Sequence, residues 1–317
     1  MSELPSRSRL PSFVGLAKAA AALTIVFSLA TFADHLHRYL ELFSHFRLQY
    51  LFVALILGLL LTILRCRAWA GVMLLLAAVN AVPVSLWYFA EAKAAPNAVT
   101  VKVLHANVFT GNDETDRLVD LLRLEKPDIV FLQEVNGRWI DSLAELREQY
   151  PYHHEIARED NFGIAVYTRD AAADIQIVSS PPQDFPTLVV RVTVAGKAVT
   201  FVSTHPHPPV GETAYYARNE QLESIGELVQ QLDSPKVLIG DLNTSMWSHH
   251  YDDLLTATNL RDARYGFGVI PTWPRQLPFA MIPIDHCLVS ADIAVVSVRS
   301  GPGIGSDHLP LIVELAF

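Results

Sequence analysis

Cysteine is scarce: the 317 residues include two, Cys66 and Cys287. Neither stands in a zinc or redox spacing, so a disulfide framework and a CxxC-type centre are both set aside. Each thiol reads as a small buried hydrophobe. Basic charge is scarce as well. Lys and Arg number 24 against 33 Asp and Glu, a formal net charge of −9. A surface of that sign is a poor electrostatic footprint for a non-specific nucleic-acid binder. There is no basic stripe interleaved with aromatics of the kind that tracks a single strand. Internal repeats and low-complexity linkers are also missing, which sets aside solenoids and arrays.

What is plentiful is apolar surface. Hydrophobic residues make up 51% of the chain and mean hydropathy is +0.26, high for a soluble protein. The length suggests about two domains, and the apolar excess lies in the first ninety positions. Seven of the 24 basic and three of the 33 acidic residues fall there, leaving 17 against 30 in the remainder, about −13. Three apolar runs, about 13–33, 48–64 and 70–90, each approach the ~20 residues that span a bilayer as a helix. Lys18 near one end of the first run can snorkel. Arg47, Arg65 and Arg67 bracket the second, and Trp87 and Tyr88 at the end of the third suit an interfacial belt. The short Arg65–Trp69 link implies a hairpin between spans two and three. A cleaved signal peptide fits the first run less well, because no small-residue cleavage site follows it and two more runs come after.

Residues 1–95 are therefore expected to form a membrane anchor of three helices, with Ala92–Asn97 as a tether to a catalytic domain over 96–317. The Lys and Arg bias, five on the amino end and hairpin against three on the opposite loops, favours a cytoplasmic amino end. Three spans then carry the second domain across an inner membrane into the periplasm.

From Val99 the pattern changes. Strands are expected at about 99–104, 128–132, 163–168, 174–178, 187–195, 198–203, 236–240, 284–289, 293–298 and 310–315. Helices are expected at about 116–124, 138–149 and 211–231. Strands this numerous with interspersed helices suggest an α/β fold of two packed sheets covered by helices. Polar residues gather where strands begin or end: Asn107, Glu134, Thr204-His205-Pro206-His207, Gly240-Asp241-Leu242-Asn243, Ile284-Asp285-His286 and Ser306-Asp307-His308. Strand ends let residues from distant sequence converge on one pocket.

The residue types form a coherent set. Glu134 and Asp307 are hard oxygen ligands suited to Mg²⁺ or Mn²⁺, a cation that polarises a phosphoryl oxygen and stabilises a leaving oxyanion. His308 suits phosphate contact or proton transfer, with Asp285 a candidate orienting partner. Asp241 suits positioning or deprotonating the attacking water. Asn107, Asn243 and His205 offer donors to a phosphate whose charge grows in the transition state.

These pieces, in this order over about 99–317, resemble the endonuclease/exonuclease/phosphatase superfamily of metal-dependent DNA nucleases, sphingomyelinases and inositol-polyphosphate phosphatases. The matching residues are Asn107, Gln133-Glu134, Thr204-His205, Gly240-Asp241-Leu242-Asn243, Ile284-Asp285-His286 and Ser306-Asp307-His308. The resemblance implies a four-layer α/β sandwich, with Glu134 as principal metal ligand, assisted by Asp307 and Asn107. It further implies Asp241 and Asn243 on the attacking water and phosphate, an Asp285–His308 pair, and His205 on the phosphate.

Some residues keep two readings. Arg218 suits phosphate contact or support of the site, or a salt bridge on a helix surface. His207 suits a second phosphate contact or an extra metal ligand, or an exposed loop position. Trp273, in Pro271-Thr272-Trp273-Pro274, suits stacking on a base, contact with a lipid, or core packing. His105, His153, His154, His249 and His250 read as structural or solvated. The expected activity is Mg²⁺-dependent phosphoester hydrolysis. The candidate substrates are a nucleic acid outside the cytoplasm and a phospholipid or small phosphate ester at the membrane surface. A third possibility is a non-catalytic domain that binds a phosphorylated ligand.

Overall fold

The computed structural model describes residues 12–89, 98–169 and 174–317. The tether expected at Ala92–Asn97, like Arg7 and Arg9, lies outside the described residues. The chain divides into two compact units, Met1–Ser85 and Leu86–Phe317.

The first unit is helical. Helix α1 (Phe13–Ala30) is capped by Ser12, whose hydroxyl accepts from the backbone N–H of Gly15, and it runs on through a 3-10 turn over Thr31–Leu36. Helices α2 (Arg38–Ser44), α3 (Arg47–Ile63) and α4 (Arg67–Ser85) follow. Small residues let them approach closely: Ala17, Ala21, Ala54, Ala70 and Ala77 cluster with Leu61, Met73 and Leu76. Asn80 donates to the hydroxyl of Ser28, a buried polar tie at 2.8 Å. Among the described residues, two helical stretches, Phe13–Leu36 and Arg67–Ser85, are long and apolar enough to cross a membrane. A third arises only if α2 and α3, bent by 64°, count as one span, because α3 alone has 17 residues. The last span was expected to reach position 90, but α4 stops at Ser85. Trp87, expected at a membrane interface, is buried within the second unit, stacked on Tyr265 with ring centroids 4.4 Å apart.

The second unit is an α/β sandwich of two six-stranded mixed sheets flanked by helices. Its elements in chain order are β1 (Thr100–Asn107), α5 (Thr115–Glu125), β2 (Ile129–Gln133), α6 (Gly137–Ser142), α7 (Leu146–Gln149), β3 (Tyr152–Ile156), β4 (Ile164–Thr168), β5 (Asp174–Ser180), β6 (Phe185–Val194) and β7 (Lys197–Ser203). Then come α8 (Glu212–Gln230), β8 (Lys236–Asp241), α9 (His249–Thr258), β9 (Arg261–Asp262), β10 (Asp285–Val289), β11 (Ala294–Ser300) and β12 (Leu311–Ala316). The sheet orders are β11-β12-β1-β2-β4-β3 and β5-β6-β7-β8-β10-β9.

Each sheet is built on a parallel pair, β1 with β2 and β7 with β8. Strands β12 and β10 run antiparallel beside those pairs. That arrangement fixes where the polar strand ends go. The parallel strands finish at the same edge at which β10 and β12 begin, so Asn107, Glu134, His205, Asp241, Asp285 and His308 are delivered together. Strands β2 and β8 are buried along their whole length, as strands covered on both faces must be.

Side-chain parity sorts the rest. On β1 and β2, Val101, Val103, Ile129 and Phe131 point into the layer between the sheets, where they meet Phe201, Ile239 and Cys287. Leu104, Ala106, Val130 and Leu132 point outward, under Leu118 and Leu122 of α5 and under Trp139. At ~25 cal/mol per Å² of apolar area, these two layers are the main stabilising term. By the period of two, His105 and Gln133 belong to the inward set.

Candidate active site

Asp241 is the hub. It ends β8, and its backbone N–H donates to the side-chain oxygen of Gln133 at 2.9 Å. The amide nitrogen of Gln133 in turn donates to the carbonyl of Thr204 at 2.7 Å. Gln133 therefore ties the end of β2 in one sheet to the ends of β7 and β8 in the other. Gly240 makes the close approach possible: a Cβ there would run into the carbonyl oxygen of Thr204.

Three side chains face a single oxygen of Asp241. Asn107 donates to Oδ2 at 3.3 Å, and the ring nitrogens Nε2 of His308 and His205 stand 3.5 and 3.6 Å from it. The other oxygen accepts from the backbone N–H of Asn243 at 2.9 Å. Asn243 has a left-handed backbone, φ 50°, a conformation Asn tolerates. Its side chain donates to the carbonyl of Pro206 at 2.9 Å, and its own carbonyl accepts from Arg218 at 2.9 Å. Arg218 is fully buried on α8 and lies beside the Tyr215 ring. The helix-surface part of the second reading does not hold, because the guanidinium is buried.

Glu134 follows β2 with φ 63°, a strained backbone for a residue with a long side chain. Thr110 holds it there, its hydroxyl donating to the Glu134 carbonyl at 3.0 Å. The carboxylate accepts from Asn107 at 2.8 Å. Burial, with the Asp241 charge adding, raises the Glu134 carboxyl above its usual range, although His205, Asn107 and His308 pull the other way. The other Glu134 oxygen accepts from the backbone N–H of Thr110 at 3.4 Å, and a buried carboxylate beside a second carboxylate suits a hard divalent cation. Oxygen donors and the surplus of negative charge fit Mg²⁺ or Mn²⁺. Asp307 supplies a further carboxylate, oriented by a 2.9 Å hydrogen bond from the indole N–H of Trp273. Among the described residues, the titratable groups whose ligand atoms lie within 4.8 Å of one another are Asp241, Asp285 and His308. Glu134 and Asp307 are not in that group.

The geometry of that trio favours a hydrogen-bonded positioning chain over a metal cage, because both oxygens of Asp285 are occupied. His308 Nδ1 lies 2.8 Å from Oδ2, and His105 Nε2 lies 2.9 Å from Oδ1. Burial would raise the Asp285 carboxyl, but the charge of His308 and hydrogen bonds from His105 and His308 win and hold it well below the usual carboxylate range. Burial would likewise lower His308, yet Asp285 and Asp241 outweigh it and push the imidazole up to about 10. His205 is raised for the same reason, with Asp241 and Glu134 overcoming its desolvation. Ser306 locks the approach of β12: its hydroxyl donates to the Asn107 carbonyl at 2.8 Å and accepts from the N–H of His308 at 3.0 Å.

His207 shares the Phe162 ring with His205, whose centroid is also 5.4 Å from it. The His207 ring leans on Phe162 and Phe185, at centroid distances of 5.4 and 5.9 Å, and its Nδ1 is 2.9 Å from the Pro208 carbonyl. The Pro-flanked segment has left strand geometry after Ser203, so the two-residue period that pairs His205 with His207 no longer applies. Two ties escaped the sequence reading. His105 was assigned no part in the site, and Gln133 was noted without a role. The signal available for both was their inward parity on β1 and β2.

A family model described as the Endonuclease/Exonuclease/phosphatase family matches residues 104–308. No curated protein sequence matches. Among solved structures, D. rerio TDP2 complexed with a single-strand DNA product superposes with a TM-score of 0.56 at 17% identity, covering 69% of this chain and 99% of that one. An endonuclease/exonuclease/phosphatase family protein from Bacteroides thetaiotaomicron gives 0.56 at 20% identity, covering 70% and 99%. Sphingomyelinase C from Streptomyces griseocarneus gives 0.50 at 18% identity, covering 68% and 99%.

Proposed function

The chain belongs to the endonuclease/exonuclease/phosphatase family, whose members are phosphoester hydrolases, and on that premise we propose that it is a metal-dependent phosphodiesterase. The observation that carries this reading is the convergence of Asn107, His205 and His308 on one oxygen of Asp241. An acidic acceptor ringed by donors suits a water that must lose a proton while the phosphate it attacks gains charge.

We assign the roles as follows. Glu134, Asp307 and Asn107 would hold Mg²⁺ or Mn²⁺. The cation, when bound, supplies Lewis-acid polarisation of the phosphoryl group. Asp241 accepts the proton of the attacking water as the water oxygen bonds to phosphorus; the ester P–O bond breaks, and the leaving alkoxide takes a proton from solvent to depart as the alcohol. Asn243 positions that water and the phosphate. His308, raised above the ordinary imidazole range by Asp285 and Asp241, favours its protonated form and so suits donation to the phosphate. Asp285 orients it. His205 and Asn107 donate to the phosphate oxygens. Arg218 acts through Asn243. His207 is kept as an outlying substrate contact beside Phe162 and Phe185.

The substrate favoured by kinship is a nucleic acid, as in the DNA-product complex of D. rerio TDP2. A second reading, a phospholipid diester, has its own observation. The backbone N–H of Arg275 donates to the Asp307 carbonyl, and the loop beyond it exposes Leu277 at 61% and Phe279 at 95%. Apolar side chains that open to solvent beside a site suit an apolar surface better than a polyanion. Sphingomyelinase C is a structural neighbour, and a membrane anchor raises the local concentration of a bilayer substrate.

The test uses the purified full chain with Mg²⁺, Mn²⁺ or EDTA. Its substrates are plasmid DNA, RNA, sphingomyelin, phosphatidylinositol phosphates and bis-p-nitrophenyl phosphate. We expect EDTA-sensitive cleavage of the generic diester and its loss in Glu134→Ala. Turnover unaffected by both would end the metal assignment. We further propose three membrane spans over residues 1–95 and a periplasmic catalytic domain over 96–317. An alkaline-phosphatase fusion near residue 96 should be active, and a silent fusion would move the domain to the cytoplasm.

A further inference from the structure

From the geometry between the sheets we infer that His105 is a positioning residue for hydrolysis, holding Asp285 from the side opposite His308 so that a His105–Asp285–His308 chain sets the angle of the active imidazole. The inference rests on the reading of His308 and Asp241 given above.

Four observations carry it. His105 lies on β1 at an inward position, in series with Val101 and Val103, where an aliphatic side chain is the rule. It is fully buried, and so is Asp285. Its Nε2 is 2.9 Å from Asp285 Oδ1, while His308 Nδ1 is 2.8 Å from Oδ2. Its other nitrogen, Nδ1, is buried and meets no hydrogen-bond partner among the described residues. An imidazole with one orphaned nitrogen costs stability at a position where valine would pack. The one polar contact it makes is therefore the reason for its presence. An ionised carboxylate only accepts, so Nε2 carries the hydrogen that His105 donates.

The mechanical consequence follows. Held by one hydrogen bond, a carboxylate can rotate about its Cβ–Cγ bond. Held at both oxygens by rings from different strands, β1 in one sheet and the approach to β12, it has one plane. His308 then has one ring orientation, with Nε2 aimed at Asp241 Oδ2 from 3.5 Å. His105 also crosses the interlayer to β10 of the second sheet, so it fixes the two halves of the site against each other.

Kinetics of full-chain variants on bis-p-nitrophenyl phosphate test this. His105→Leu removes the donor at similar bulk. Gln places an N–H the same number of bonds from Cα as Nε2, and Asn places one a bond short. We expect His105→Leu to lower kcat on the order of 10- to 100-fold, with KM within about threefold, measured well below each variant's thermal midpoint. His105→Gln should recover most of the loss and His105→Asn should not. In an Asp285→Asn background, adding His105→Leu should change kcat by less than about threefold, because the two act in series. Equal losses in the Gln and Asn variants, a loss confined to the thermal midpoint, or full additivity with Asp285→Asn would overturn the inference. Should the Leu variant fail to fold, the Gln and Asn pair decides it alone. If the unmutated chain hydrolyses no diester, the proposed function fails instead, and these comparisons are not reached.

Discussion

Gln133→Leu isolates the other tie between the sheets. The side chain is fully buried, donates to the Thr204 carbonyl at 2.7 Å and accepts from the Asp241 N–H at 2.9 Å. Leucine fills similar volume but leaves both backbone groups buried and unpaired. Each such group costs about 1–3 kcal/mol, so the substitution should destabilise the second unit by roughly 2–6 kcal/mol. For a unit of this size, 1 kcal/mol shifts the midpoint by about 2–4 °C, which predicts a fall on the order of 5–20 °C by near-UV circular dichroism. Activity should suffer more than stability. The same amide fixes the backbone of Asp241 and the segment leading into His205, and a misplacement of about 1 Å can cost roughly 10²-fold. We expect turnover of a generic diester to fall at least that far at a temperature where the variant is folded. Gln133→Glu refines the test. It keeps the acceptor for Asp241 but turns a carboxylate oxygen toward the Thr204 carbonyl, so its stability should improve on acidification, when the carboxyl can donate. A midpoint within about 2 °C of the parent and turnover within threefold would refute the view that Gln133 couples the sheets.

Two further predictions concern residues outside the hub. Asp262 is buried among Arg264, His286 and Tyr251; burial would raise its carboxyl, but the Arg264 charge and its hydrogen bonds lower it to about 2. A carboxyl depressed on folding adds stability above its unfolded pKa, near 3.8, and loses it as pH falls toward 2. The contribution is about 2 kcal/mol, so urea-unfolding curves of parent and Asp262→Asn should differ at neutral pH and converge near pH 2, and a constant gap would contradict the assignment. Trp273→Phe keeps the aromatic bulk and removes the hydrogen bond to Asp307. Loss of such an orienting partner typically weakens metal binding about 10- to 100-fold, so the Mg²⁺ concentration for half-maximal activity should rise, and an unmoved requirement would detach Trp273 from the site.

Most of the polar strand ends were legible because an apolar run that stops at Asn, Asp or Glu is visible in one dimension. Asn107, Glu134, Asp241 and Asp285 each sit at such a junction. Elements whose burial is shallow or broken were not legible. Strand β3 is a half-buried sheet edge, β9 has two residues, and α9 buries Tyr251, Leu254 and Thr258 behind a polar opening turn. The single helix expected over 138–149 is two, α6 and α7. The buried positions Trp139, Leu143 and Leu146 keep helical spacing across the break, so hydrophobic period alone cannot see it. Hydropathy also ran on to position 90, although α4 contains Pro83 and ends at Ser85, and Trp87 packs on Tyr265 instead of meeting lipid.

The part of the site least visible in sequence is the part that joins its two halves. A polar residue at a strand end announces itself, but His105 and Gln133 interrupt inward-facing apolar positions, and their partners are 180 and 108 or fewer residues away. Parity predicts that both face the interlayer. Only the pairing of β1 with β2 and of β8 with β10 determines what they face there. An isolated polar residue in a buried strand is therefore ambiguous until the opposite sheet is known. In this fold the ambiguity resolves one way at both positions, because an unpaired imidazole or amide in that layer would cost more than the aliphatic residue it displaces. The cost is tolerated where the side chain reaches across to Asp285 or Asp241. His153 differs in place: it lies on the edge strand β3, where its ring stacks on Tyr167 and does not reach across to the second sheet.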